Sequence, residues 1–97
     1  MKILILDAAI RDLVDGFTFY EKQEAGLGGY FIDSLFSDID SLQLYAGIHV
    51  ISFENYYRML SKRFPFAVYY RIDEDTIIAY AVLDCRLHPA WIRTRLS

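Results

Sequence analysis

The sequence predicts an α+β domain of order β-α-α-β-β-β-β, in which a helical hairpin packs on one face of a mostly antiparallel sheet. Three observations predict it. Apolar residues recur at three- and four-residue spacing twice between Ile10 and Leu42, as two amphipathic helices require. The glycine-rich stretch "EAGLGG", residues 24–29, separates the two stripes. From Ile48 onward the pattern shortens to apolar and alternating runs bounded by turn residues, which is how a sheet reads.

The elements follow in order. Residues 2–6, "KILIL", are a short apolar run suited to a buried strand. Asp7 is placed to cap the helix that follows, its carboxylate accepting from free first-turn amides. Ile10, Leu13, Val14, Phe17 and Tyr20 form one stripe of that helix, which runs to about Glu24. Gly16 inside it costs about 1 kcal/mol against alanine, so a close backbone approach is expected there. Phe31, Leu35, Ile39 and Leu42 form the second stripe, Ile32 and Phe36 widen it, and Gly47 ends the helix. Residues 48–53 read as a strand, and "ENY", residues 54–56, as a turn. Residues 57–64 read as the next strand, with Arg58, Leu60 and Lys62 on one side and Tyr57, Met59 and Ser61 on the other. Pro65 cannot donate a ladder hydrogen bond and marks a bend. Residues 66–73 and 76–84 are two further strands joined by the tight connection Glu74-Asp75. The run Ala81-Val82-Leu83 makes the last strand a covered one, and the tail from His88 reads as a helical turn or an arm.

Ninety-seven residues support one domain, residues 1–97. The single cysteine, Cys85, excludes an internal disulfide and fits a reducing compartment, so a cytoplasmic location is expected. No uncharged apolar run approaches the roughly 18 residues of a membrane span. The net charge of −3 is unevenly spread: residues 1–46 hold eight acids and three bases, whereas residues 47–97 hold five acids and seven bases. An acidic chain of this kind is not expected to bind DNA by itself without a localised basic surface.

Several chemistries lack their residues. There is no phosphate-binding glycine loop followed by lysine, no dinucleotide fingerprint and no cysteine/histidine cluster with metal spacing, so neither cofactor nor metal is expected. Cys85 with His88, three residues on, has a suggestive spacing for a nucleophile pair, but free cysteines are usually inert core residues. His49 with His88 would be an acid/base pair for RNA cleavage, but nothing in the sequence places them together. Asp33, Asp38 and Asp40 read as a solvated helix face. What stands out is cationic: Arg58, Lys62, Arg63, Arg71 and Arg86 around the sheet, with Arg93 and Arg95 in the tail beside Trp91. These serve either as salt-bridge partners for the acidic helices or as a surface that meets something anionic.

The order of elements, the segment "DLVDGFTFYEKQEAGLGGYF" and the block "YYRMLSKRFPFAVYYRIDEDTIIAYAVLDCRLHPAWI" together resemble the RelE/ParE superfamily of type II toxins, closest to its ParE-like, plasmid-stabilisation branch. The resemblance spans residues 8–92 and implies a toxin neutralised by a cognate antitoxin. ParE-like members inhibit DNA gyrase; RelE-like members cleave mRNA in the ribosome. For cleavage the matching residues are incomplete. Phe66 stands where the family's strand arginine falls, Trp91 stands at the terminal aromatic hydroxyl, and Arg58, Lys62 and Arg86 are left as candidate catalytic groups. The gyrase-directed reading needs only a surface, with Arg63, Arg71, Arg86, Trp91, Arg93 and Arg95 as target contacts. Val14, Phe17, Tyr20, Phe31 and Ile32 cannot all be buried by a single hairpin on a sheet, so some are expected to line a groove for the antitoxin; a second copy of the toxin is the competing occupant.

Overall fold

A computed structural model describes residues 1–53 and 55–97, so the turn expected at residues 54–56 lies partly outside the described residues, at Glu54. The chain runs β1 (Lys2–Ile5), α1 (Asp7–Gln23), α2 (Leu27–Asp40), the single turn α3 (Leu42–Tyr45), β2 (Val50–Ser52), β3 (Tyr56–Leu60), β4 (Phe66–Asp73), β5 (Thr76–Asp84) and α4 (Pro89–Leu96). The sheet order is β1-β5-β4-β3-β2, parallel at β1–β5 and antiparallel at the other three pairings. The α+β class and the order of the first seven expected elements hold.

Glycine decides how the hairpin closes. Gly26 adopts a left-handed conformation (φ 91°) at the start of α2. The Glu21 carboxylate then accepts from the amides of Gly26 and Gly28, placing negative charge at the positive end of α2. A Cβ on Gly28 would lie 2.7 Å from the Phe17 carbonyl oxygen, and one on Gly16 would lie 2.4 Å from the Phe31 ring. "EAGLGG" is therefore less a loop than a tight turn followed at once by helix, whose glycines let α1 and α2 touch. Asp7 does not cap: Leu6 is the residue before α1, Asp7 opens the helix, and no side chain bonds the first-turn amides at that cap.

The hairpin buries Leu13, Phe31, Leu35 and Ile39, and α3 adds Leu42, against Val68, Tyr70, Ile77 and Val82 of the sheet. Phe31 stacks edge-on against Phe64 and Phe66, with ring centroids 5.1 and 4.9 Å apart. Asp38 was expected in a solvated face but is buried. Its carboxylate accepts from the Ser61 hydroxyl (2.6 Å) and the Lys62 amide (3.3 Å), tying α2 to the loop before β4. β3 ends at Leu60, four residues short of expectation, because that loop turns inward to meet Asp38. β2 shrinks to three residues, and β1 is a half-exposed edge with Leu4 outside rather than a buried strand.

The largest departure is on the far face of the sheet. There α4 lays Ile92 and Leu96 on Tyr56, Ala67, Tyr69, Ala81 and Leu83, and the Tyr56 hydroxyl donates to the Leu96 carbonyl at 2.8 Å. The body thus has a partial third layer rather than two. Strand alternation puts those five residues on the side away from the hairpin, and their apolar surface needs a cover. The tail supplies it: Pro89 pre-sets the first helical φ, and the His88 ring accepts from the Ala90 amide. A register shift in β4–β5 pairs Tyr69 with Ala81 and Tyr70 with Ala79. The extra residue leaves both Tyr80 and Ala81 packed on this second face.

Candidate functional site

The cations expected to act together are split among several places. Arg71, on β4, projects from the α4 side of the sheet, where its guanidinium carbon lies 4.1 Å from the Tyr56 ring centroid and 5.0 Å from that of Tyr80. Both rings lie to one side of the guanidinium, edge to face with their centroids 5.2 Å apart. Its Nε is buried without a hydrogen-bond partner among the described residues. Arg93 approaches from α4, 5.5 Å from the Phe53 ring centroid. With Asn55, Leu96 and Ser97, these residues line a cleft of about 600 Å³. Phe53 reaches it through a left-handed turn residue conformation (φ 50°) just after β2.

Arg86 and Trp91 are exposed, but Arg86 does not turn to the tryptophan. Its Nε and Nη2 donate to both oxygens of Asp84, at 2.9 and 2.6 Å, in a forked pair. That bond holds the Asp84 carboxyl below its ordinary range. Trp91 instead borders a small pocket of about 210 Å³ with Phe19, Phe66 and Leu87, rimmed by Asp12, Asp15 and Asp84. Arg95 is half-buried and bound. Its Nη2 donates to Asp12 at 2.7 Å and to the Ala8 carbonyl at 3.1 Å, pinning α4 to α1. Asp12 also accepts from the Val82 amide at 3.0 Å. Burial nonetheless raises its carboxyl above the usual value, the arginine and the amide only partly opposing it. Arg63 is exposed in the loop before β4, clear of both the cleft and the Trp91 pocket.

Arg58 and Lys62 do meet. They line a groove of about 600 Å³ at the β2–β3 edge with Tyr45, Ile48, His49, Val50, Met59 and Leu60, while Arg86 is not part of it. Arg58 Nε donates to the Tyr69 hydroxyl at 3.2 Å. His49 bonds the Tyr70 hydroxyl through Nδ1, and burial lowers its pKa from the ordinary 6.5. His88 caps α4 instead, so the two histidines have separate partners. Cys85, half-buried, gives its amide to the Pro65 carbonyl. No group of three or more His, Cys, Asp or Glu among the described residues is placed to hold a metal ion, and no helix there is long and apolar enough to cross a membrane.

Of the five apolar residues expected to share a groove, Tyr20 and Phe31 are core and Ile32 is half-buried, because the α1–α2 contact closes over them. Val14 and Phe17 remain 54% and 38% exposed, in line with Ile10 on the outer side of α1.

The backbone arrangement has a solved counterpart. A chain of the structure described as the chromosomal ParDE TA system from P. aeruginosa matches with a TM-score of 0.78, covering 84% of this chain and 92% of that one, at 15% sequence identity. The fold is ParE-like. No family model and no curated protein matches the sequence. The residues that sequence reasoning missed beside Arg71 and Arg93 are Phe53 and Tyr80. Their signals were weak: a lone aromatic at a turn and a tyrosine in an aromatic-rich strand.

Proposed function

We propose that this protein is the toxin of a type II toxin–antitoxin module, held inactive by a cognate antitoxin, that acts in the cytoplasm by inhibiting DNA gyrase through its exposed basic residues. The observation that carries the reading is the ParE-like fold shared with a chain of a ParDE system, together with the apolar strip Ile10, Val14 and Phe17 left open on α1. In this reading the antitoxin lies along that strip, with Val14 and Phe17 as its anchors and the part-exposed Ile32 at its border. Arg63, Arg71, Arg86, Trp91, Arg93 and Arg95 contribute to the target surface. Arg63, Arg86, Trp91 and Arg93 touch the target directly, and Arg95 holds α4 in place through Asp12.

The mRNA-cleavage alternative rests on Arg58, Lys62 and Arg86. Arg58 and Lys62 share a groove, whereas Arg86 is engaged with Asp84. A residue set so divided favours recognition over bond breaking. The test is induction of the chain without its partner, followed by two assays: supercoiling by purified gyrase, and integrity of mRNA on translating ribosomes. Loss of supercoiling with intact mRNA is expected. Cut mRNA with normal supercoiling would overturn the gyrase assignment. A folded Arg86→Ala/Trp91→Ala variant that stays as toxic as the parent would remove the surface assignment.

A further inference from the structure

The sheet ends at β2, which pairs with β3 on one side and, among the described residues, with no strand on the other. Natural sheets blunt such an edge with lysine, proline, a bulge or a covering element. Val50-Ile51-Ser52 carries neither lysine nor proline, and only its shortness restrains it. The side chains around this edge are as open as its backbone. Leu44, Ile48 and Val50 are 81, 74 and 75% exposed, and Tyr45, Ile51 and Leu60 are each more than half exposed. Tyr45, Ile48, Val50 and Leu60 share one groove, and Leu44 and Ile51 adjoin it in the chain. With ordinary side-chain areas the six present on the order of 700 Å² of mostly apolar surface, more than the about 300–600 Å² of the largest patch on a typical monomer.

We infer that a second copy of this chain occupies this edge, the two β2 strands pairing antiparallel about a twofold axis between their Ile51 residues. The exposed area is close to the about 800 Å² that each partner gives to a standard interface. A twofold makes the patch its own complement, so apolar surface meets apolar surface with no separate pocket required. The backbone is set for it. The Ser61 amide bonds the Phe66 carbonyl of β4, so alternation along β3 turns Tyr56 and Arg58 toward β2. Their partners Ser52 and Val50 therefore face β3, and the N–H and C=O of Ile51 face out. Three residues make a short ladder, which fixes the register while the apolar side chains supply the affinity. The nearest cations stay at the rim: Arg58 Nε donates to the Tyr69 hydroxyl, and Lys62 follows the end of β3. α1 packs on β5, three places along the sheet from β2, so the dimer leaves the strip Ile10, Val14 and Phe17 open. The inference does not rest on the toxin reading, since the edge is there whatever the protein acts on.

Sedimentation velocity of the intact chain, from low micromolar to near-millimolar concentration, tests it. A monomer–dimer equilibrium is expected. Val50→Lys and Ile48→Lys should each weaken it by about tenfold or more, because a substitution at a twofold contact acts twice. Both side chains are exposed, so the variants should keep the parent's far-ultraviolet circular dichroism. Val14→Asp on α1 should leave the dimer unchanged. Cross-linking reads the register separately. Two Ile51 residues paired in this way have Cα atoms about 5.5 Å apart, within disulfide reach. Ile51→Cys in a Cys85→Ser background should therefore form a covalent dimer under mild oxidation, and Lys22→Cys in the same background should not. A monomer at every concentration would overturn the inference and leave the edge to a strand from another protein. A dimer that Val14→Asp breaks and Val50→Lys does not, or one that Ile51→Cys fails to cross-link, would overturn it as well.

Discussion

Gly16 and Gly29 both lie inside helices, yet a methyl group added at each meets opposite surroundings. At Gly16 it would sit 2.4 Å from the Phe31 ring, whose neighbours Phe64 and Phe66 prevent it from swinging away. Alanine there gains about 1 kcal/mol of helix propensity but forces a packed ring to move, at about 1–3 kcal/mol. Gly16→Ala should therefore lower the urea midpoint. At Gly29 nothing lies within 4 Å, so Gly29→Ala keeps only the propensity gain and should raise it, by about 0.5–1 kcal/mol. His49 supplies a second residue-level outcome. Burial depresses its folded pKa below 6.5, so the unfolded chain binds the proton more readily. The stability His49 contributes is whole above 6.5 and is lost as pH falls from there toward the lower folded value. Thermal melts of the parent between pH 7 and pH 5 should show a decline that His49→Gln reduces.

Among the elements, β4 and β5 were legible to the residue, and the reason is local. Both are apolar and aromatic runs bounded by turn residues, and Glu74, at φ 54°, closes a two-residue connection that its neighbours already announce. The C-terminal helix was not legible as a third layer. Only Ile92 and Leu96 of its eight residues are buried, one turn apart, and what they cover is set by strand faces far away in sequence. Ile92→Ala should cost about 2 kcal/mol, the low end for a buried isoleucine because α4 is anchored on one side only. Hydrogen exchange should then speed up in α4 before it does in β4. Unchanged exchange in α4 would mean that Tyr56 and Arg95, not Ile92, hold the helix down.

At the scale of the whole molecule, the same stripe of α1 serves two purposes. Leu13, Gly16 and Tyr20 face inward, while Ile10, Val14 and Phe17 face out. Val14→Asp should leave the melting temperature nearly unchanged and weaken capture of the proposed antitoxin by about tenfold or more, as loss of a buried anchor does. Phe31→Ala should instead cost about 3–5 kcal/mol in folding, because that ring is wholly enclosed. Titration of the purified partner, with denaturation curves run alongside, separates the two effects. The type of each main element, the hairpin and the mixed charge were determined by the sequence itself, since periodicity and glycine placement act over a few residues. Tertiary structure alone decided which arginines are free. Arg95 is neutralised by Asp12, 83 positions away, and Arg71 is walled by tyrosines from two strands. A charge is defined by what surrounds it, and those surroundings exist only once distant segments have packed.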